Sequence, residues 1–265
     1  MSKSVPKKLH DQLWRQLQAT FIHCLSYMGN PTRVEGNTPG IAIGWKGADR
    51  LTAARDGLQY RNHALLWHLS LLDSYKKHFE CAIEKVIFDS EKEFYARRDA
   101  QQKLGFILDD VVFNSMSVFD YTAEFVFATH FPDYKGDKRW HKLTQKIAKI
   151  DDEILSKLIQ SANLKFVKHL ERYRGHVIHN KPEVGDIVYT HAVVTGEVKH
   201  DIALPRKLID LLPIFSADGE NIQIDAGAEK IIVRTMEIEL SIVYQLSLYK
   251  YKPRRDNIFD DSKYT

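Results

Sequence analysis

Between His169 and Asn180 the chain reads His-Leu-Glu-Arg-Tyr-Arg-Gly-His-Val-Ile-His-Asn, with three histidines and two arginines inside eleven residues. Histidine exchanges protons near neutral pH. Arginine stays charged and offers a planar fork to phosphate oxygens, so it can stabilise charge that grows in a transition state. Those two jobs are enough to cleave an RNA phosphodiester, because the neighbouring 2′-hydroxyl can be the nucleophile, and no metal or other cofactor is required. On an α-helix His169, Arg172, His176 and His179 fall along one line. That line runs beside the apolar stripe Phe166, Leu170, Tyr173, Val177. The spacing therefore expects a polar line at the rim of a packed face, partly desolvated, where imidazole pKa values can be tuned and a second subunit can approach.

Two arginines compete as partner of His179. Residues seven apart nearly align on a helix, whereas residues five apart diverge, so straight-helix geometry favours Arg172 over Arg174. Gly175 can loosen the final turn and change this, so both stay candidates. A second stretch, Arg61-Asn-His-Ala-Leu-Leu-Trp-His68, has an arginine and a histidine seven apart. It ranks below the first, because Leu65, Leu66 and Leu69 make its surroundings strongly apolar and favour reading His63 and His68 as core-edge histidines satisfied by hydrogen bonds. A metal site built on His169, His176 and His179, with Glu183 or Asp186, is disfavoured. The spacings of seven and three are not an adjacent-turn pair, and the intervening arginines repel a cation. There is no Gly-x-Ser-x-Gly elbow and no glycine-rich phosphate loop.

These residues need helices to hold them, and the chain supplies them. Leu13, Leu17, Phe21 and Leu25 mark a helix from Lys8 to Met28, which Gly29-Asn30-Pro31 ends. A loop with a short strand at Ile41–Trp45 follows, then a helix from Thr52 to Phe88. Ser90 and Glu93 form a capping box for the next helix. A further helix, Leu104–His130, sets Asp110, Asn114, Ser117 and Glu124 on one side as a wall that could face the cluster. Helix Asp152–His179 carries the cluster and stops at Asn180-Lys181-Pro182. After it the period changes to that of a small β-hairpin between Ile187 and Ile202. A short helix at Pro205–Leu212, a turn at Ser216–Gly219 and a last helix from an Asp225 N-cap to Tyr251 complete the pattern, with a charged tail at 252–265.

Arg174-Gly-His-Val-Ile-His179 and Arg172 to His179 resemble the signature of the HEPN superfamily, an arginine followed after four to six residues by a histidine near the end of a core helix. Arg61 to His68 also satisfies the six-residue spacing, with Asn62 directly after the arginine. The resemblance implies an all-α, mainly helical fold. Residues 104–251 would be a HEPN-like helical bundle carrying the β-hairpin as an insertion, and residues 1–103 an N-terminal helical extension, the whole forming one compact unit. It implies a metal-independent endoribonuclease, of the kind used as toxins or antiviral-defence effectors. In it His179 serves as general acid or base, Arg174 or Arg172 stabilises the phosphorane and His176 assists. Asn180, His169, Asp110 and Asn114 would contact or support RNA. The same resemblance implies a homodimer that builds its cleft from two copies of the motif, and an antitoxin or other protein partner. Some members are non-catalytic, so a helical interaction module or phosphate-ligand-binding module is the alternative.

Composition agrees with a globular chain: of 265 residues, 44% are hydrophobic and 28% charged. A net charge of +3 is too small to announce nucleic-acid binding in bulk, so any basic surface is a local patch. Cys24 and Cys81, each inside an apolar-periodic segment, read as two buried thiols in a reducing compartment. The start is basic but lacks an uninterrupted apolar run, and no stretch reaches the ~20 apolar residues of a membrane span. The sequence therefore expects a cytoplasmic protein.

Overall fold

The computed structural model describes residues 8–28, 48–86, 89–131, 133–179, 185–192, 197–219 and 221–248. Its elements in chain order are α1 (Lys8–Met28), α2 (Ala48–Val86), α3 (Ser90–His130), α4 (Trp140–Thr144), α5 (Glu153–Ala162), α6 (Lys168–His179), β1 (Ile187–Ala192), β2 (Glu197–Ile202), α7 (Arg206–Leu211) and α8 (Ile224–Leu248). The protein is mainly helical. The strand at Ile41–Trp45, Asn180, Glu183 and the tail 252–265 lie outside the described residues, as does the side chain of Cys24.

Two long helices form the frame. In α2 the side chains of Leu51, Ala54, Leu58, Leu65, Leu72, Phe79 and Ile83 are buried at spacings of three, four or seven, which gives one apolar face. Each such burial stabilises the fold by roughly 1.5–3 kcal/mol for the larger side chains. In α3 the matching stripe runs Ala100, Leu104, Leu108, Val111, Met116, Phe119 and Ala123. The two helices pack antiparallel as a long hairpin, the most extensive helix–helix contact among the described residues. Their register follows from side chains that meet across the seam. His68 meets Asp110, Arg61 meets Asn114, and Gly57 lies against the ring of Tyr121. At Gly57 a Cβ would sit 2.4 Å from that ring, so glycine permits the approach. Helix α8 closes the bundle against α1, α3 and α2, burying Ile231, Ile232, Met236, Ile242, Val243 and Leu246.

The strands β1 and β2 pair antiparallel from Ile187↔Ile202 to Ala192↔Glu197. Lys76 of α2 fixes this hairpin to the bundle. Its Nζ lies 2.9 Å from Asp201 and 3.0 Å from Asp225, all three largely withdrawn from solvent.

Several expectations need correction. The helices foreseen at Ser90 and at Leu104 are one continuous helix, because Ala96, Ala100 and Leu104 carry the apolar stripe through the polar stretch 97–103. The division at 103/104 thus falls inside α3. The cap of α3 is Asp89, whose side chain accepts from Lys92 N, and Glu93 pairs with Arg97 rather than closing a box with Ser90. Helix α8 starts at Ile224, with Asp225 in its first turn bonded to Lys76. Cys81 is exposed, not buried, since it sits on the outer side of α2 between the buried Phe79 and Ile83. The rod from Glu153 to His179 is interrupted by a π-turn at Asn163–Val167.

Candidate functional site

The π-turn precedes the Arg/His cluster in the helical rod. It adds Val167 to the buried residues beside Phe166, while the stripe Leu155, Ile159, Ala162, Phe166, Leu170, Tyr173 keeps its spacing of three or four through the turn. Asn163, where the turn begins, accepts a hydrogen bond from the indole Nε1 of Trp140 at 3.1 Å. Beyond it Leu170 and Tyr173 hold α6 to the bundle. Arg172 and His179 then face solvent, while His169, Arg174 and His176 are half-buried. A ring nitrogen of His169 lies 3.2 Å from the Leu164 carbonyl. Arg174 reaches α3, its guanidinium 5.9 Å from the ring centre of Phe113. The straight-helix geometry thus places Arg172 with His179 on the outer face, and Arg174 alone of the two arginines touches α3.

The polar wall of α3 meets a different partner. Asp110, Asn114, Ser117, Tyr121 and Glu124 share one side of that helix, and α2 lays the second Arg/His pair against it. Arg61 donates from Nη1 to Asn114 Oδ1 at 3.0 Å, and Asn114 Nδ2 donates in turn to the Asp110 carbonyl at 2.8 Å. His68 Nδ1 lies 2.6 Å from the Ala64 carbonyl, which can only accept, so that nitrogen carries a hydrogen. His68 Nε2 is 3.4 Å from Asp110 Oδ2. The ring's two nitrogens thus face a backbone carbonyl and the Asp110 carboxylate. Asp109, next to Asp110, has its pKa pushed up to about 6 by burial and by the neighbouring negative charge.

The seam opens into a cavity of about 350 Å³ lined by Arg61, Ser117, Asp120, Tyr121, Glu124, Lys138 and Arg139. The volume lies at the small end of the range for ligand pockets. Asp120 accepts from the backbone N–H of Trp140 at 3.0 Å and anchors the segment that brings in Lys138 and Arg139. Arg139 forks onto Asp137, whose carboxyl it holds well below the usual carboxylate range. Lys138 lies 3.8 Å from Glu124. Arg61 Nε is buried with no hydrogen-bond partner among the described residues.

A buried pair sets the rotation of α2 that presents Arg61. The next residue, Asn62, points the opposite way, into the core, and donates to both carboxyl oxygens of Glu239 at 2.9 Å. Glu239 is fully buried on α8, and burial pushes its pKa up to about 8, so it is protonated at neutral pH.

Of the site residues expected from the sequence, Asp110 and Asn114 are brought to Arg61 and His68 rather than to Arg172 and His179. Asn180 lies outside the described residues. Sequence reasoning missed Asp120, Tyr121, Lys138, Arg139 and Glu239. Only Glu239 had a signal, as a lone carboxylate on the core stripe of a helix. No group of His, Cys, Asp and Glu able to hold a metal ion occurs among the described residues, and none of their helices is long and apolar enough to cross a membrane. The fold and groove define a mainly helical bundle with an Arg/His pair docked on a polar helix face. Comparison with known protein families, curated proteins and solved structures returns no match.

Proposed function

We propose that this protein is a metal-independent endoribonuclease of the HEPN type, and that Arg61 and His68 carry the chemistry. The observation behind this reading is the docking of an arginine and a histidine, two helical turns apart on α2, onto Asn114 and Asp110 of α3, with Arg61 also lining an open cavity. In the reaction His68 Nε2 takes the proton of the 2′-hydroxyl as its oxygen bonds to phosphorus. Arg61 stabilises the negative charge of the phosphorane, and Asp110 stabilises the imidazolium. The bond from phosphorus to the 5′ oxygen then breaks, and the imidazolium returns its proton to that oxygen. The products are a 2′,3′-cyclic phosphate and a 5′-hydroxyl. Lys138 and Arg139 hold the flanking phosphate, and Asn62 positions Arg61 through Glu239.

On this reading α6 is a flank of the site. Arg174, Arg172, His176 and His179 bind the RNA backbone or face a second copy in a homodimer, where the exposed Ile178 supplies an apolar contact. The protein works in the cytoplasm, where an antitoxin or similar partner restrains it. The test is incubation with unstructured RNA in EDTA, followed by end-group analysis. Cyclic-phosphate ends that disappear in Arg61→Ala support the reading, and intact RNA with folded protein overturns it. In that second case phosphate-ligand binding without cleavage becomes the better account of the same cations.

A further inference from the structure

We propose that the outer face of α2 is a stacking platform for unpaired bases of single-stranded RNA. The inference rests on the ribonuclease reading for the identity of the polymer, and on the geometry of α2 for everything else. Two large aromatic side chains stand in solvent on this helix, Tyr60 at 68% and Trp67 at 60% exposure. Each directly precedes a member of the Arg61–His68 pair, so the two rings are themselves seven residues apart and lie along one line. The exposed His63 sits between them, its ring 4.6 Å from that of Trp14 on α1 and edge-on to it.

The rings are coupled to the polar groups that would handle phosphate. The Arg61 guanidinium lies 5.5 Å from the Tyr60 ring centre, and the His68 ring is 4.8 Å from Trp67 and nearly perpendicular to it. Arg61 therefore spans from the exposed ring to the cavity that Lys138 and Arg139 line. This pairing of exposed aromatic faces with a guanidinium and an imidazole suits a single strand, in which bases and phosphates alternate. A strand is favoured over a protein partner by the cationic cavity that Arg61 joins to the exposed rings. Two helical turns span about 10 Å. A strand stacked at about 3.4 Å per base would place bases three apart on Tyr60 and Trp67, with His63 between. Duplex RNA hides its base faces, so the platform selects unpaired segments.

The test uses the full chain and a twelve-nucleotide oligouridylate carrying 2′-O-methyl groups, which cannot be cleaved by 2′-hydroxyl attack. Binding is read by anisotropy of the labelled oligonucleotide and by quenching of tryptophan emission. Trp67 is accessible to quenching, whereas Trp140 is buried. Tyr60→Ala and Trp67→Ala should each weaken binding by about five- to a hundredfold. Trp67→Phe should retain most of the binding and reduce the quench, the remainder coming from Trp14 beside His63. Because both residues face solvent, circular dichroism of the variants should match the wild type. Unchanged affinity in the Tyr60→Ala/Trp67→Ala double variant overturns the proposal, and so does equal affinity for a twelve-base-pair duplex. If the wild type fails to bind and the double variant instead dissociates a dimer in sedimentation, the face is a protein interface and the proposal is overturned. Ring-dependent binding of the methylated strand, with no cleavage of unmodified RNA, supports the platform while removing the ribonuclease reading.

Discussion

Replacing Glu239 by glutamine should stabilise the protein at neutral and mildly alkaline pH and flatten the pH dependence of its unfolding. Glu239 is fully buried, and its pKa rises from 4.5 in the unfolded chain to about 8 in the fold. Between those values the folded chain holds a proton that the unfolded chain has released. The unfolded state binds fewer protons, so stability is greatest below pH 4.5 and falls as pH rises towards about 8. Each pH unit in that window is worth about 1.4 kcal/mol, which accumulates to roughly 4 kcal/mol by pH 7.5. Glutamine has the same shape and no charge to release. It keeps one hydrogen bond to Asn62 but brings an amide whose second donor is unsatisfied, returning about 1–3 kcal/mol. A net gain of about 1–3 kcal/mol at pH 7.5 follows, shrinking or reversing at pH 5. The assay is urea unfolding of wild type and Glu239→Gln at pH 5, 6, 7 and 8. A difference independent of pH would refute the reasoning, because it would show that Glu239 does not hold a proton in the fold.

Other consequences of the structure are as direct. Gly57→Ala drives a methyl group into the Tyr121 ring and should cost about 1–3 kcal/mol in denaturant unfolding, outweighing any gain in helix propensity. At Gly175 an added Cβ meets nothing within 4 Å, so Gly175→Ala should raise stability by about 0.5–1 kcal/mol in the same assay. Lys76→Ala leaves Asp201 buried beside Asp225 without its cation and should cost about 3 kcal/mol. If Arg61 neutralises a phosphate, Arg61→Ala should lower the slope of log affinity against log salt for single-stranded RNA by about 0.7.

The helices were legible wherever one apolar stripe kept a helical period. The span of α1, most of α2 and the hairpin near Ile187–Ile202 follow from pattern alone. The continuity of α3 was less visible, because across the polar run 97–103 only Ala100 keeps its stripe alive. The π-turn was not legible, since the apolar stripe Ile159, Ala162, Phe166, Leu170, Tyr173 keeps a spacing of three or four straight through it. The same weakness affected the site. Leu65, Leu66 and Leu69 made the Arg61–His68 stretch look like core, yet of these only Leu65 is fully withdrawn, and the helix turns Arg61 and His68 towards α3 instead. Conversely the Arg172–His179 segment, richer in chemistry on paper, presents Arg172 and His179 to solvent. Which polar wall faces which motif is a matter of the antiparallel register of α2 and α3. That register is written in distant pairs such as Arg61 with Asn114 and Gly57 with Tyr121, and a local pattern does not contain them.

Whether RNA is cleaved at the α2–α3 seam or at the end of α6 turns on His68 and His179. The most direct measurement compares initial rates of RNA cleavage in EDTA for wild type, His68→Ala and His179→Ala, with each protein shown to be folded. Chemistry at the seam gives cyclic-phosphate ends with the wild type, a loss of about 10²–10⁴-fold in His68→Ala, and a much smaller loss in His179→Ala. Abolished cleavage in His179→Ala with near-normal activity in His68→Ala would contradict it.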